Sequence, residues 1–145
     1  MRSVLIVDDE PRIREILVRF LAPAGYAVNE AADADAALAL VAATAPDVLL
    51  CDVQMPGHDG LWLVEQLRLR FPAVAIVLAT ADANVPPVVS LQGGVVEYLV
   101  KPFEREGVLA AVGRAVDWHE AAAARSAVQT PPPDPVGDWL NKRQP

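Results

Sequence analysis

Four short apolar segments of this chain each end in a polar or charged residue. The segments are residues 4–7, 48–51, 75–79 and 98–100, and they are followed by Asp8 and Asp9, Asp52, Thr80 and Lys101, respectively. Segments of this kind, separated by helical stretches, are typical of buried strands in a parallel sheet. The carboxyl ends of such strands share one edge of the sheet, where ligands bind. The sequence therefore predicts one site with three carboxylates, a hydroxyl and an ammonium group.

The composition fits a single acidic domain. The chain has 145 residues and a net charge of −7, and this length is enough for one domain with its own core. An acidic body without a cluster of Lys and Arg argues against direct binding of nucleic acid. The single cysteine, Cys51, excludes an intramolecular disulfide and is typical of a reducing cytosol. Because no signal-peptide pattern or membrane-spanning apolar stretch is present, we expect a cytoplasmic protein with no membrane partner.

Helical periodicity places helices between the predicted strands. Strands are expected at 3–7 and 26–28, after Pro46, up to Thr80 and up to Lys101. Helices are expected to begin at Pro11, at Asp33 or Asp35, after the 55–60 loop and near Phe103, with a short one between Pro86 and Gly94. Five β-α units predict an open, doubly wound α/β sandwich around a five-stranded parallel sheet.

The chain divides into a folded part and a tail. We expect one domain over residues 1–120, with a last helix that extends to about 127. Residues 128–145 include a proline-rich run at 130–135, which is typical of an extended linker. No output domain is expected in this tail. The sequence fits either a stand-alone domain or a piece of a longer protein, and the linker favours the longer protein.

The predicted site suits transfer of a phosphoryl group. Three carboxylates at one edge repel one another, so they need cations. Lys101 supplies one positive charge, and Mg²⁺ is the natural second because it prefers carboxylate and carbonyl oxygens. The acidic loop at Asp8 and Asp9 lies where a glycine-rich cradle for a nucleotide would be, which disfavours nucleotide and flavin binding. Mg²⁺, Lys101 and Thr80 around Asp52 would stabilise a phosphoryl group that is transferred to this aspartate.

Four motifs give the chain a family resemblance. They are V-L-I-V-D-D-E-P at 4–11, L-L-C-D-V-Q-M-P-G-H-D-G at 49–60, T-A at 80–81 and Y-L-V-K-P at 98–102. In this order and spacing, the chain resembles the receiver domain of two-component response regulators from residue 1 to about 120. The resemblance implies a flavodoxin-like (βα)5 three-layer sandwich. It also implies a phosphorylation-dependent signalling switch, not an enzyme that turns over a separate substrate.

The resemblance also implies roles for the acidic residues. Asp52 corresponds to the phosphoacceptor, which receives its phosphoryl group from a histidine kinase or a phosphotransfer protein. Asp8 and Asp9 correspond to the acidic pair that binds Mg²⁺, with Asp9 as the direct ligand and Asp8 acting through water. Asp52 and the backbone carbonyl of Gln54 complete the expected metal contacts.

Further roles follow from the same resemblance. Lys101 is expected to contact a phosphoryl oxygen and to precede a cis bond to Pro102. Thr80 is expected to hydrogen-bond another phosphoryl oxygen, and Tyr98 corresponds to the aromatic residue that turns inward when Thr80 moves. This pair would convert phosphorylation into altered binding of an effector protein or of a missing C-terminal output domain.

Two other functions and several simple structural roles compete with this interpretation. A phosphate-independent interaction module would keep the fold without the switch. A phosphatase with an aspartyl nucleophile usually needs an acid two residues after the nucleophile, where this chain has Gln54. Cys51 is expected to be a small buried strand residue. His58 and His119 are expected to be solvated.

Overall fold

Five strands form one parallel sheet in the computed structural model, which describes residues 2–81 and 95–129. The strands are β1 (Ser3–Val7), β2 (Ala27–Ala31), β3 (Val48–Asp52), β4 (Ala75–Thr80) and β5 (Val95–Val100). Within these described ranges the order across the sheet is β2-β1-β3-β4-β5, and each neighbouring pair is parallel. The predicted five-stranded parallel sheet is therefore confirmed.

Helices cover both faces of this sheet. The described helices are α1 (Pro11–Leu21), α2 (Ala34–Ala43), α3 (Gly60–Arg70) and α4 (Arg105–Gln129). Buried side chains of α1 and α4 pack in one apolar cluster, and those of α2 and α3 pack in another. This is the doubly wound, flavodoxin-like three-layer arrangement that the sequence predicts.

The two apolar clusters explain why the central strands contain almost no polar residue. Side chains alternate between the faces of a strand, so Leu49 lies in the cluster under α2 and α3 while Leu50 lies under α1 and α4. Every residue of β3 and β4 is buried. Because each fully buried leucine contributes on the order of 2 kcal/mol, a polar side chain is tolerated only at the strand ends. This constraint places Asp52 and Thr80 at the carboxyl edge.

Aspartate side chains cap the first turns of α2 and α3 near that edge. The side chain of Asp33 accepts a hydrogen bond of 2.7 Å from the N–H of Ala36, so Asp33, not Asp35, caps α2. Asp59 caps α3 in the same way, with 2.9 Å to the N–H of Trp62. Such caps satisfy backbone donors that the first helical turn leaves unpaired.

The second strand differs from its prediction. It begins at Ala27, not at Tyr26, and it continues to Ala31. Asn29 and Glu30 are exposed there, because β2 is at the edge of the sheet and, among the described strands, pairs with β1 alone. A strand with polar residues at its centre has no apolar run to reveal it, so the sequence pattern underestimated its length.

The last helix is anchored at the amino-terminal end of the sheet. It begins at Arg105, two residues after Phe103, and extends to Gln129. The prediction that His119 is solvated was wrong: its Nδ1 lies 2.6 Å from the carbonyl oxygen of Ala73 and its Nε2 lies 3.0 Å from Asp47 Oδ1. The cause is tertiary, since α4 passes beside the residues that precede β3 and β4.

Two predicted features lie outside the described residues. These are the short helix between Pro86 and Gly94 and the proline-rich tail from residue 130 onward. In the ranges that the structure describes, no helix is both long enough and apolar enough to cross a bilayer.

Candidate functional site

Lys101 joins the carboxyl ends of two strands. Its Nζ donates hydrogen bonds to Asp8 Oδ2 at 3.1 Å and to Asp52 Oδ2 at 3.3 Å. Asp8 and Asp52 are only 2 % and 5 % exposed, so each carboxylate has lost most of its hydration. Removing charges from water is costly unless they are paired. The ammonium of Lys101 therefore compensates two carboxylates that would otherwise repel each other.

The register of the sheet brings Lys101 to this position. Thr80 pairs with Val100 at the end of β4 and β5, and the N–H of Lys101 donates to the carbonyl oxygen of Thr80 at 2.8 Å. This bond continues the ladder one residue beyond β5. The bond between Lys101 and Pro102 is cis, as expected. Thr80 itself is buried, with 2 % of its surface exposed.

The loop after β1 is held by bonds to its backbone. The N–H of Asp8 donates to the carbonyl oxygen of Ala31 at 3.2 Å, and the Asp8 carbonyl accepts from Arg14 Nη1 at 2.7 Å. The Asp8 side chain in turn accepts from the N–H of Glu10 at 2.9 Å. Both polar groups of the Asp8 backbone and one of its carboxylate oxygens are thereby paired, which orders the start of the acidic loop.

This loop carries a group of acids suited to a hard cation. Within the described residues, carboxylate oxygens of Asp8, Asp9 and Glu10 lie within 4.8 Å of one another. Asp9 and Glu10 are exposed, so water can reach them. Mg²⁺ prefers oxygen ligands and keeps several waters, and the donor set therefore fits this ion. The sequence prediction missed Glu10, although a third consecutive acid was visible in the motif.

The other wall of the site is the turn after β3. Asp52 Oδ1 accepts a hydrogen bond of 3.2 Å from the N–H of Gln54. Gly60, at the start of α3, donates its N–H to the carbonyl of Val53 at 2.9 Å. A Cβ atom at Gly60 would lie 2.4 Å from the carbonyl oxygen of Asp52. The helix can approach the strand end this closely only because residue 60 has no side chain, a requirement that the sequence prediction did not identify.

Burial and charge act against each other at Asp52. Burial raises the pKa of Asp52 above the ordinary carboxyl value. The N–H of Gln54 and the ammonium of Lys101 oppose this effect, but they do not cancel it. The charge of Asp8 adds to the rise. Without a further cation, the folded site therefore makes Asp52 harder to ionise than an ordinary carboxyl group.

The same surroundings favour the charged form of Lys101. Burial lowers the pKa of Lys101, but the hydrogen bonds and negative charges of Asp8 and Asp52 outweigh burial and raise the pKa. Its ammonium is therefore held in the charged form. Burial also raises the pKa of the neighbouring Cys51 thiol, in agreement with the expectation that Cys51 is an unreactive strand residue.

Tyr98 lies in β5, the strand next to β4 in the sheet. It pairs with Leu78 of β4 and packs partly buried against the cluster under α2 and α3. Its hydroxyl is buried and has no hydrogen-bond partner among residues 2–81 and 95–129. Burial raises the pKa of this phenol. An unpaired buried hydroxyl costs free energy, so this position carries a polar group that the described packing does not require.

His58 lies in the loop before α3 and is exposed, as predicted. Its Nδ1 lies 3.0 Å from Asp35 Oδ1, and its ring stacks on Trp62 with 3.8 Å between centroids. The partner Asp35 was not predicted, because the two residues are brought together by α2 and the loop before α3, not by sequence spacing.

Sheet order, helix placement and an acid–lysine edge together define a flavodoxin-like α/β domain whose site lies at the carboxyl ends of the strands. The family model described as the response regulator receiver domain matches residues 4–113. The chain belongs to this family of two-component signalling domains, in which phosphorylation and Mg²⁺ are general features.

Similar proteins agree with this assignment. The chain is 38 % identical over 138 residues to the DNA-binding transcriptional regulator NtrC of Salmonella typhimurium and 36 % identical to NtrC of Escherichia coli K12. Each match covers 93 % of this chain and 29 % of the relative. The chain therefore spans less than a third of the length of these curated relatives.

Solved structures give the same fold. The structure of the response regulator TrrA from Thermotoga maritima in complex with Mg²⁺ and BeF has a TM-score of 0.73 and 31 % identity, covering 79 % of this chain and 99 % of that one. The chemotaxis protein CheY4 of Vibrio cholerae has a TM-score of 0.74 and 34 % identity, covering 79 % and 98 %. NtrX of Brucella abortus, in complex with ADP, has a TM-score of 0.78 and 26 % identity, covering 89 % and 29 %.

Proposed function

We propose that this domain is a phosphorylation-dependent switch that accepts a phosphoryl group on Asp52 from a histidine kinase or a phosphotransfer protein. The observation that carries the proposal is the pairing of Asp52 with Lys101 at 3.3 Å, at the open edge of a sheet whose interior is apolar. The nearby acidic group of Asp8, Asp9 and Glu10 supports a requirement for Mg²⁺.

The reaction is an in-line displacement at phosphorus. A carboxylate oxygen of Asp52 attacks the phosphorus of a phosphohistidine, and an O–P bond forms as the P–N bond breaks. The electron pair of the P–N bond remains on the imidazole nitrogen of the donor, which takes a proton from water. The product is an acyl phosphate on Asp52. Water later attacks this phosphorus, releases inorganic phosphate and restores the carboxylate.

Lys101 and a Mg²⁺ ion held by the acidic residues would neutralise the negative charge of the phosphoryl oxygens. Lys101 would exchange a carboxylate contact for a phosphoryl oxygen without moving its backbone. Asp8, Asp9, Asp52 and the carbonyl of Gln54 would hold Mg²⁺. When bound, this ion supplies positive charge that neutralises the phosphoryl oxygens.

Thr80 and Tyr98 would couple phosphorylation of Asp52 to a change at the protein surface. The Thr80 hydroxyl, at the end of β4, would bind a further phosphoryl oxygen. Tyr98 on the neighbouring strand would follow, because its hydroxyl lacks a partner among the described residues and loses no bond from that set when it moves. This pair would change the surface that an effector recognises.

Domain limits and partners follow from the same proposal. We assign residues 1–120 to the receiver domain, with its last helix continuing to Gln129, and the residues from 130 onward to the linker that the sequence predicts from 128. The NtrC relatives are named as DNA-binding transcriptional regulators, which supports a separate output domain or effector protein as the partner. Direct nucleic-acid binding by this acidic domain is not expected, and the proposed location is the cytoplasm.

The test is mobility on a phosphate-affinity gel after incubation with acetyl phosphate. Wild type should shift when Mg²⁺ is present and should not shift with EDTA. Asp52→Asn should not shift under either condition. Absence of a shift in wild type with acetyl phosphate and with histidine kinases, together with no response to beryllofluoride, would support the phosphate-independent interaction module instead. Release of phosphate from added phosphomonoesters would support the phosphatase.

A further inference from the structure

Arg14 lies beside the acidic group but does not belong to it. Its side chain is 17 % exposed, which is low for an arginine on the first turns of a helix. The guanidinium reaches two acceptors on different elements: Nη1 donates to the Asp8 carbonyl oxygen at 2.7 Å, and Nε donates to Glu30 Oε1 at 3.1 Å. Arg14 therefore connects α1, the loop after β1 and the end of β2.

The Asp8 carbonyl belongs to the peptide that joins Asp8 to Asp9. On the other side of Asp8, the N–H is bonded to Ala31 at the end of β2. With both groups held, rotation of the Asp8–Asp9 peptide would break a charge-assisted hydrogen bond. The direction of this peptide decides where the Asp9 side chain begins, and hence where its carboxylate lies relative to those of Asp8 and Glu10.

We propose that Arg14 is a positioning residue that sets the Mg²⁺ affinity of the acidic loop by fixing the Asp8–Asp9 peptide. The proposal rests on the proposed function, because it concerns the metal site of that switch. Residues behind the direct ligands commonly change metal affinity by about tenfold or more when they are replaced. Helix α1 and the bond to Glu30 hold the Arg14 side chain in place, and its guanidinium in turn holds the loop backbone at Asp8.

A positioning role and a purely electrostatic role of Arg14 predict opposite changes in Mg²⁺ affinity when its charge is removed. A guanidinium near a cation site repels the cation, so removing the charge of Arg14 should tighten Mg²⁺ binding if only charge matters. If Arg14 positions the loop, the same removal should weaken binding. Arg14→Lys keeps the charge but replaces a fork of donors with a single ammonium, which cannot hold both acceptors in the same way. Positioning predicts weaker binding for this variant too.

The experiment is isothermal titration of Mg²⁺ into the full chain, with the free energy of unfolding measured in EDTA for each variant. We expect Arg14→Gln to raise the dissociation constant about tenfold, Arg14→Lys to raise it by a smaller factor, and Glu30→Gln to raise it slightly. Arg19→Gln is the matched control, because it removes the same charge from the same helix at a side chain that is 74 % exposed. Its dissociation constant should equal that of wild type.

The outcomes separate this inference from the proposed function. An unchanged or lower dissociation constant in folded Arg14→Gln, beside a wild type that binds Mg²⁺, would overturn the role of Arg14 and leave the switch intact. A wild type that binds no Mg²⁺ would overturn the metal site and the role of Arg14 together. Weaker binding in both Arg14 variants, with Arg19→Gln unchanged, would support the inference.

Discussion

The ammonium of Lys101 lies 3.3 Å from Oδ2 of Asp52, although 49 positions separate the two residues in the chain. The same nitrogen contacts Asp8 Oδ2, so one cation compensates two buried carboxylates. Parallel strands that end at one edge of the sheet bring these side chains together.

Removing the ammonium of Lys101 should destabilise the fold, because the carboxylates of Asp8 and Asp52 then repel each other. Lys101→Met leaves Asp8 and Asp52 buried without their cation, and breaking such a buried pair costs about 3 kcal/mol. We expect a loss of this size in the free energy of unfolding measured with urea in EDTA. Adding Mg²⁺ should restore part of it. The double mutant Lys101→Met, Asp52→Asn should lose less free energy of unfolding than the sum of the changes in the two single variants. Strictly additive changes would contradict the coupling between the two residues.

The raised pKa of Asp52 predicts a pH dependence with a definite sign. A carboxyl whose pKa is raised on folding stabilises the folded state while it is protonated, and that stability is lost as pH rises through the folded pKa. In EDTA at neutral pH, we therefore expect Asp52→Asn to unfold at higher urea concentration than wild type. The difference should vanish below the ordinary carboxyl pKa of about 3.9. A variant that is less stable than wild type at neutral pH would contradict this prediction.

Gly60 should not tolerate even a methyl group. A Cβ atom would lie 2.4 Å from the carbonyl oxygen of Asp52, so the backbone of α3 or β3 must shift. Overpacking of this kind costs about 1 to 3 kcal/mol, and we expect Gly60→Ala to lose that amount in urea unfolding. The matched control is Gly113→Ala in α4, where, apart from the neighbouring backbone of the helix itself, no atom of the described residues lies within 4 Å of the added Cβ. This control should gain up to about 1 kcal/mol from helix propensity.

The buried hydroxyl of Tyr98 predicts an unusual result for a conservative change. Because this hydroxyl has no partner among the described residues, Tyr98→Phe should leave the free energy of unfolding unchanged or raise it by about 1 kcal/mol. If Tyr98 belongs to the switch, the same variant should still accept a phosphoryl group on Asp52. A loss of more than about 1 kcal/mol would reveal a hydrogen bond to the hydroxyl.

Much of the site could be predicted because burial constrains the strands. In an apolar strand that is covered on both faces, a carboxylate such as Asp52 is tolerated only at the end, and parallel strands end together. The alternation of side chains and the helical spacing between strands then predict the layers. The pairing of Lys101 with Asp8 and Asp52 follows from these local rules, and the structure brings the three side chains together.

Other features depend on contacts that no local pattern records. Glu30 lies in an edge strand with polar neighbours, so neither the full length of β2 nor the contact between Glu30 and Arg14 could be predicted. His119 is held by Asp47 and Ala73 because the long last helix passes the far edge of the sheet. The need for glycine at position 60 arises from the backbone atoms of Asp52 and Val53. Each depends on contacts between different elements of the fold.

The most direct measurement is mass spectrometry of the intact protein, followed by peptide mapping, after incubation with acetyl phosphate and Mg²⁺. The central claim, that Asp52 is the phosphoacceptor, predicts a mass increase of a single phosphoryl group on the peptide that contains Asp52. The modification should be labile in base and absent from Asp52→Asn. A phosphoryl group on another residue, or one that folded Asp52→Asn still acquires to the same extent, would contradict the claim.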